Sequence, residues 1–166
     1  MKKILTAALI LSCAVSANAQ KINNLSFSLG GELGTATGNL NIAYSFTLGA
    51  TVQADYNINS QTAITGNTGV IVFNGKKISG TNLRYRSATL IPLLAGVKYY
   101  FTPKIYGSAQ LGESFFTQSG GGSKFTYAPG VGYKFTDKWD ALLKYTGYSG
   151  NGSNGGTVGV RLGYAF

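Results

Sequence analysis

Three segments of this 166-residue chain finish alike, with an aliphatic residue followed at alternate positions by Tyr and then Phe. They are Val97-x-Tyr99-x-Phe101, Val131-x-Tyr133-x-Phe135 and Leu162-x-Tyr164-x-Phe166, the last of which closes the sequence. Ala54-x-Tyr56-x-Ile58 is a weaker fourth copy, and the three internal copies run into short turns at 59–61, 102–104 and 136–138. A period of two marks one face of a β-strand. An apolar face that ends in an aromatic ring at the same end of every second strand describes a sheet leaving hydrocarbon at an interface, where Tyr is at home. In hydrocarbon every backbone polar group must be paired, and a sheet achieves that only by closing into a barrel.

The first nineteen residues divide into Met1-Lys2-Lys3, an apolar run from Ile4 to Leu11, and Ala17-Asn18-Ala19 before Gln20. This is the pattern of a cleaved secretory signal at 1–19. The competing reading lipidates Cys13, but Ile10-Leu11-Ser12 fits a lipobox poorly. Cys13 is the only cysteine, so residues 20–166, read as one domain, carry no thiol, disulfide or Cys-based metal site. After residue 19 no stretch is apolar for the ~18 residues of a membrane helix. Only 11% of residues are charged, 13% are aromatic and 24 are Gly, a composition unlike an ordinary solvated surface.

Strands are expected near 24–34, 40–58, 62–73, 89–101, 105–116, 125–135, 139–148 and 157–166. Connections alternate between loops at 35–39, 74–88, 117–124 and 149–156 and the three tight turns, the layout of an outer-membrane barrel with short periplasmic turns and longer outer loops. The expected fold is all-β, an eight-stranded antiparallel up-and-down transmembrane β-barrel. Facing is plainest in the second strand, where Ile42, Tyr44, Phe46, Leu48, Ala50, Val52, Ala54, Tyr56 and Ile58 alternate with polar or small residues. Strand six alternates through Pro129, which lacks an N–H and is expected to leave a gap in the ladder, a place where a bulge can form. In the third strand Ile64, Val70 and Val72 compete with Ala63, Ile71 and Phe73 for one face. Volume sets the direction: eight strands enclose a space that side chains just fill. The small and polar set fits there, and the set rich in Phe, Tyr, Leu and Val faces lipid. A soluble lipocalin-like or streptavidin-like barrel would have the reverse pattern.

The chain resembles the small OmpA/OmpX-type outer-membrane β-barrel proteins, the outer membrane protein beta-barrel domain family, over about Leu25 to Phe166. The resemblance rests on the leader, the eight alternating strands, segments such as Leu93-Leu94-Ala95-Gly96-Val97-Lys98-Tyr99-Tyr100-Phe101 and Tyr127-Ala128-Pro129-Gly130-Val131-Gly132-Tyr133-Lys134-Phe135, and the final Phe166. It implies the outer membrane of a bacterial cell, and that the barrel-assembly machinery reads Tyr164 and Phe166. It implies no single activity.

With no His in the chain and no Cys beyond the expected leader, Ser-His and Asp-His catalysis and the usual zinc ligands are not available. The carboxylates are Glu32, Asp55, Glu113, Asp137 and Asp140, and no spacing supports a glycosidase pair. Gly75-Lys76-Lys77 lacks the other elements of a phosphate loop. No enzyme activity and no cofactor are expected.

With Lys2 and Lys3 set aside, 12 of the 14 basic residues face 5 acidic ones, a net charge of +7. An exported chain whose basic residues form no stripe is not expected to bind nucleic acid; outer-membrane lipids and lipopolysaccharide are the expected partners. Alternation points Glu32, Asp55, Lys98, Lys134, Asp140, Lys144 and Arg161 into the lumen, as a charge network that plugs it. Glu32 and Arg161 are expected on neighbouring strands at different heights. An aromatic girdle is expected from Tyr56, Tyr99, Phe101, Tyr133, Phe135, Trp139, Tyr164 and Phe166. Lys76, Lys77, Arg84 and Arg86 in the 74–88 loop, with Tyr85 among them, suit contact with lipopolysaccharide phosphates or an acidic partner. The Gly-rich loops at 120–122 and 149–156 read as flexible hairpin ends. The main reading is a plugged barrel with a structural or surface-interaction role. A small-solute or ion pore, and an adhesion or receptor barrel that uses extended strands, above all 40–58, and outer loops, are the alternatives.

Overall fold

The computed structural model describes residues 24–78, 80, 83–118, 122–150 and 155–166. The expected signal segment at 1–19, with Cys13, lies outside the described residues. The elements are β1 (Leu25–Gly38), α1 (Leu40–Ala43), β2 (Tyr44–Asn57), β3 (Thr62–Gly75), β4 (Ala88–Tyr100), β5 (Ile105–Phe116), β6 (Ser123–Lys134), β7 (Trp139–Ser149) and β8 (Gly155–Ala165). Each strand pairs antiparallel with the next, and β8 returns to β1, so the sheet closes as an eight-stranded barrel.

The three tight turns share one device. Asn59 Oδ1 accepts from the N–H groups of Gln61 and Thr62, Thr102 Oγ1 from those of Lys104 and Ile105, and Thr136 Oγ1 from those of Lys138 and Trp139. A short polar side chain that bonds two and three residues ahead reverses the chain locally. These turns define one end of the barrel, and the loops define the other.

The facing is as the volume argument requires. Phe46, Val131 and Leu162 are 49%, 58% and 47% exposed, whereas Arg161 is 1% exposed inside. In β3 it is Ala63, Ile71 and Phe73 that turn inward, with Ile64 and Val70 outside. The sequence pattern is ambiguous there because the lumen lining changes along its length. Near the loop end Ile71, Phe73, Ala88, Leu90 and Tyr148 form a buried apolar cluster, with Leu40, Tyr44 and Phe116 packed against it.

Two strand boundaries need correction. The second strand does not run from residue 40: Leu40–Ala43 is a helical turn, and Ile42 is an exposed residue on it. The β1–β2 ladder stops at Thr35↔Phe46, so the alternation of Leu40 and Ile42 has no strand to pair with, and Leu40 instead folds onto the apolar cluster. β1 continues to Gly38, well past 34, because β8 partners it there through Thr37↔Gly156 and Gly38↔Gly155. The gap expected at Pro129 is present, without a bulge. The β6–β7 ladder skips Ala128 and Pro129 and resumes in unchanged register, from Tyr127↔Gly147 to Gly130↔Lys144.

Candidate functional site

The lumen is divided along its axis. At the turn end it opens into a cavity of about 960 Å³, lined by Ser28, Asp55, Lys98, Tyr100, Tyr106, Lys134 and Asp140 among others. Its middle is crossed by buried ionic groups. At the loop end lies the apolar cluster, with Phe73 held edge-on between Tyr44 and Tyr148 at ring-centre distances of 5.4 and 5.9 Å.

The seven expected lumen charges do not form one network. Lys98 Nζ lies 2.6 Å from Asp55 Oδ2, and Gln53 Nε2 donates to the same carboxylate. Lys144 Nζ donates to Glu32 Oε1 at 2.8 Å. Asp140 accepts from the Tyr106 hydroxyl. Arg161 makes no ion pair among the described residues; its Nε donates to Thr51 Oγ1 at 3.0 Å and its Nη2 to Ser28 Oγ at 3.0 Å. Lys134 is half-buried at the cavity, with Nζ 5.6 Å from the centre of the Tyr100 ring. The different heights expected for Glu32 and Arg161 are also wrong: they are direct register partners across the β1–β8 seam. Which cation meets which carboxylate depends on the tilt of the whole barrel, which alternation along a single strand does not encode.

Glycine makes room for the two largest groups in this layer. A Cβ on Gly30 would sit 2.5 Å from Arg161 Nε, and one on Gly132 would sit 2.1 Å from Tyr106 Cζ. Tyr106 is 1% exposed and bridges two of the ionic groups, since Lys98 Nζ also lies 4.9 Å from its ring centre. Sequence reasoning missed Tyr106, Thr51 and Ser28. The signal was present, because each shares the inward parity of its strand with residues already placed inside.

The outer wall carries the aromatic residues at the turn end. Tyr99 meets Phe101, Tyr133 meets Phe135, Trp139 meets Tyr164, and Tyr164 meets Phe166, all with ring centres between 5.0 and 5.6 Å. Tyr56 is likewise exposed on that face, and the Phe166 N–H donates to the Phe27 carbonyl at 3.0 Å, fastening the terminus to β1.

At the loop end, the 74–88 segment is not a plain loop. Tyr85 N–H donates to the Lys76 carbonyl, Ile78 N–H donates to the Leu83 carbonyl, and Lys77 bridges Arg84. All three pairings keep the register of Phe73↔Ala88, so the β3–β4 ribbon continues beyond the barrel. Lys77 and Arg84 are opposite one another and share a face, and by strand parity Arg86 lies on that face too. Lys76 is set apart, because its Nζ donates to the Asn41 carbonyl at 2.7 Å and to its side chain, bracing the ribbon against α1.

No curated protein matches the sequence. The fold is similar to that of Ail, the attachment invasion locus protein of Yersinia pestis, in its crystal structure with the heparin analogue sucrose octasulfate. That match has a TM-score of 0.60 at 15% identity, covering 87% of this chain and 100% of that one. Ail in a phospholipid bilayer nanodisc gives 0.60 at 14% identity over 85% and 99%. A de novo designed transmembrane β-barrel gives 0.52 at 16% over 85% and 95%. Residues 5–166 match the family model of the outer membrane protein beta-barrel domain, and the chain belongs to that family.

Proposed function

We propose that this protein is an integral barrel of the bacterial outer membrane whose lumen is shut and whose extended β3–β4 ribbon contacts anionic surface polysaccharide. The observation that carries the reading is the Lys77↔Arg84 bridge, which sets two cations side by side on a ribbon raised above the barrel mouth. Arg86 extends the same face, and a guanidinium there can hold a phosphate or sulfate through two parallel hydrogen bonds. The fold-level neighbour Ail, crystallised with a polysulfated sugar, supports an anionic glycan as the ligand class.

A structural or surface role suits the lumen better than transport does. Solute entering from the turn end would meet the Glu32–Lys144 pair and then the apolar cluster around Phe73. No catalytic step is assigned. For the adhesion alternative the projecting part is the β3–β4 ribbon in the 74–88 outer loop, and not the start of the second strand. The test is binding of lipopolysaccharide by the folded protein and by a Lys77→Gln/Arg84→Gln/Arg86→Gln variant. Loss of binding in the variant supports the proposal, and unchanged binding overturns it.

A further inference from the structure

The turn-end half of the lumen holds one cation more than its carboxylates balance. Between the turns and the apolar cluster, Lys98, Lys134, Lys144 and Arg161 stand against Glu32, Asp55 and Asp140. Lys98 takes Asp55, and Lys144 takes Glu32. Asp140 goes to Arg161. A Cβ on Gly163 would stand within 2.5 Å of both Arg161 Nη1 and Asp140 Oδ1, so the two charges face each other across a notch that a single water spans.

Lys134 is the cation left over. Asp140 is its direct register partner on β7, yet that carboxylate turns to the Tyr106 hydroxyl, and no ion pair reaches Lys134 among the described residues. The ammonium is half-buried on the cavity wall beside the Tyr100 ring, with three donors to offer. Unused donors surround the same space. The Tyr100 hydroxyl, the Ser26 hydroxyl and the Asn24 and Asn57 amides line the cavity, and none of them bonds another part of the protein among the described residues. Asp137 and Lys138, neighbours in the exposed turn at the rim, add no net charge.

A cleft with an excess of one sign and low-dielectric walls focuses its field and concentrates counter-ions. Several donors around one ammonium suit an anion with several acceptor oxygens, which a phosphate provides and a halide does not. The cavity, at about 960 Å³, has room for more than a bare ion. It opens at the turns, so the phosphate comes from that side, either on a free solute or on a phospholipid headgroup of the adjoining leaflet.

We propose that the turn-end cavity binds a phosphate-type oxyanion at Lys134, with Tyr100, Ser26 and Asn57 as further donors. The site is separate from the cationic ribbon, which lies at the opposite end of the barrel. It is tested with the folded, isotope-labelled protein in a neutral maltoside detergent, titrated with inorganic phosphate in exchange for chloride at constant ionic strength and pH. The amide resonances of Ser28, Tyr100, Lys134 and Asp140 are expected to shift and to saturate. In Lys134→Gln the dissociation constant is expected to rise about tenfold or more, from the loss of one charged hydrogen bond. Lys134→Arg, and Lys104→Gln in an exposed turn, are expected to keep it near the original value. Equal affinity in Lys134→Gln overturns the proposal. So do shifts that fail to saturate, or that are confined to the 74–88 ribbon, in the unsubstituted protein, a result that needs no variant to fold. Micelles doped with phosphatidylglycerol identify the source: a headgroup occupant moves the same amides before phosphate is added, and a free solute leaves them in place.

Discussion

Glu32 on β1 and Arg161 on β8 face each other across the seam that closes the barrel, and they are joined through a third residue. The Thr51 hydroxyl donates to Glu32 Oε1 at 2.9 Å and accepts from Arg161 Nε at 3.0 Å. Lys144 takes the same carboxylate oxygen from the other side. One hydroxyl thus connects strands β1, β2 and β8 where the first strand must find the last. Thr51→Val keeps the shape and removes the bridge, leaving buried polar groups with a partner lost, which costs about 1–3 kcal/mol. Urea unfolding of the variant in detergent micelles measures it.

The Glu32–Lys144 pair is expected to show strong non-additivity. Lys144→Met leaves a buried carboxylate without its cation, a loss of about 3–5 kcal/mol where a buried pair is broken. The double variant Glu32→Gln/Lys144→Met removes both charges and is expected to recover most of that loss. A double-mutant cycle on unfolding free energies checks it, and simple additivity would show that the pair is not coupled.

Phe73→Ala empties the centre of the apolar cluster and is expected to destabilise the barrel by about 3–5 kcal/mol. It is also expected to leave planar bilayers without steady channel currents, because the ionic layer below still closes the lumen. Sustained open-channel conductance in this single variant would mean that the apolar cluster alone blocks passage.

The three cations of the ribbon should be separable from the fourth. Replacing Lys77, Arg84 and Arg86 by Gln is expected to weaken lipopolysaccharide binding on the order of tenfold to a hundredfold, from about 0.5–1 kcal/mol for each exposed ionic contact. The dependence on salt should become shallower at the same time. Lys76→Gln acts elsewhere, by freeing the ribbon from Asn41, and is expected to raise the protease sensitivity of the 74–88 segment while leaving the anion-binding face in place.

The fold was legible because two patterns agreed over most of the chain, the period of two and the aromatic ends facing a shared set of turns. Val131 and Leu162 lie outside, and Arg161 inside, for the reason of volume that the sequence supplied. Legibility failed where the physics changed along the axis. Phe73 and Leu90 are apolar yet turn inward because the lumen is greasy at the loop end, a switch that a uniform inside-polar rule does not anticipate. Ile42 kept the alternation of β2 on a helical turn with no strand beside it. The pairing of Lys144 with Glu32, and of Arg161 with Thr51 and Ser28, is set by how eight strands stagger on closure, which no single strand records.

Cys13 is the only cysteine in the sequence, so in a Cys13→Ser background single cysteines can be introduced at will and spin-labelled in liposomes. Labels at Leu48, Val131 and Leu162 are expected to be relaxed strongly by oxygen, which concentrates in hydrocarbon, and weakly by a water-soluble nickel chelate. Labels at Ser108 and Thr126 should respond little to either. Strong relaxation of the first three by the nickel chelate, with oxygen without effect, would contradict an apolar wall against lipid around a closed lumen.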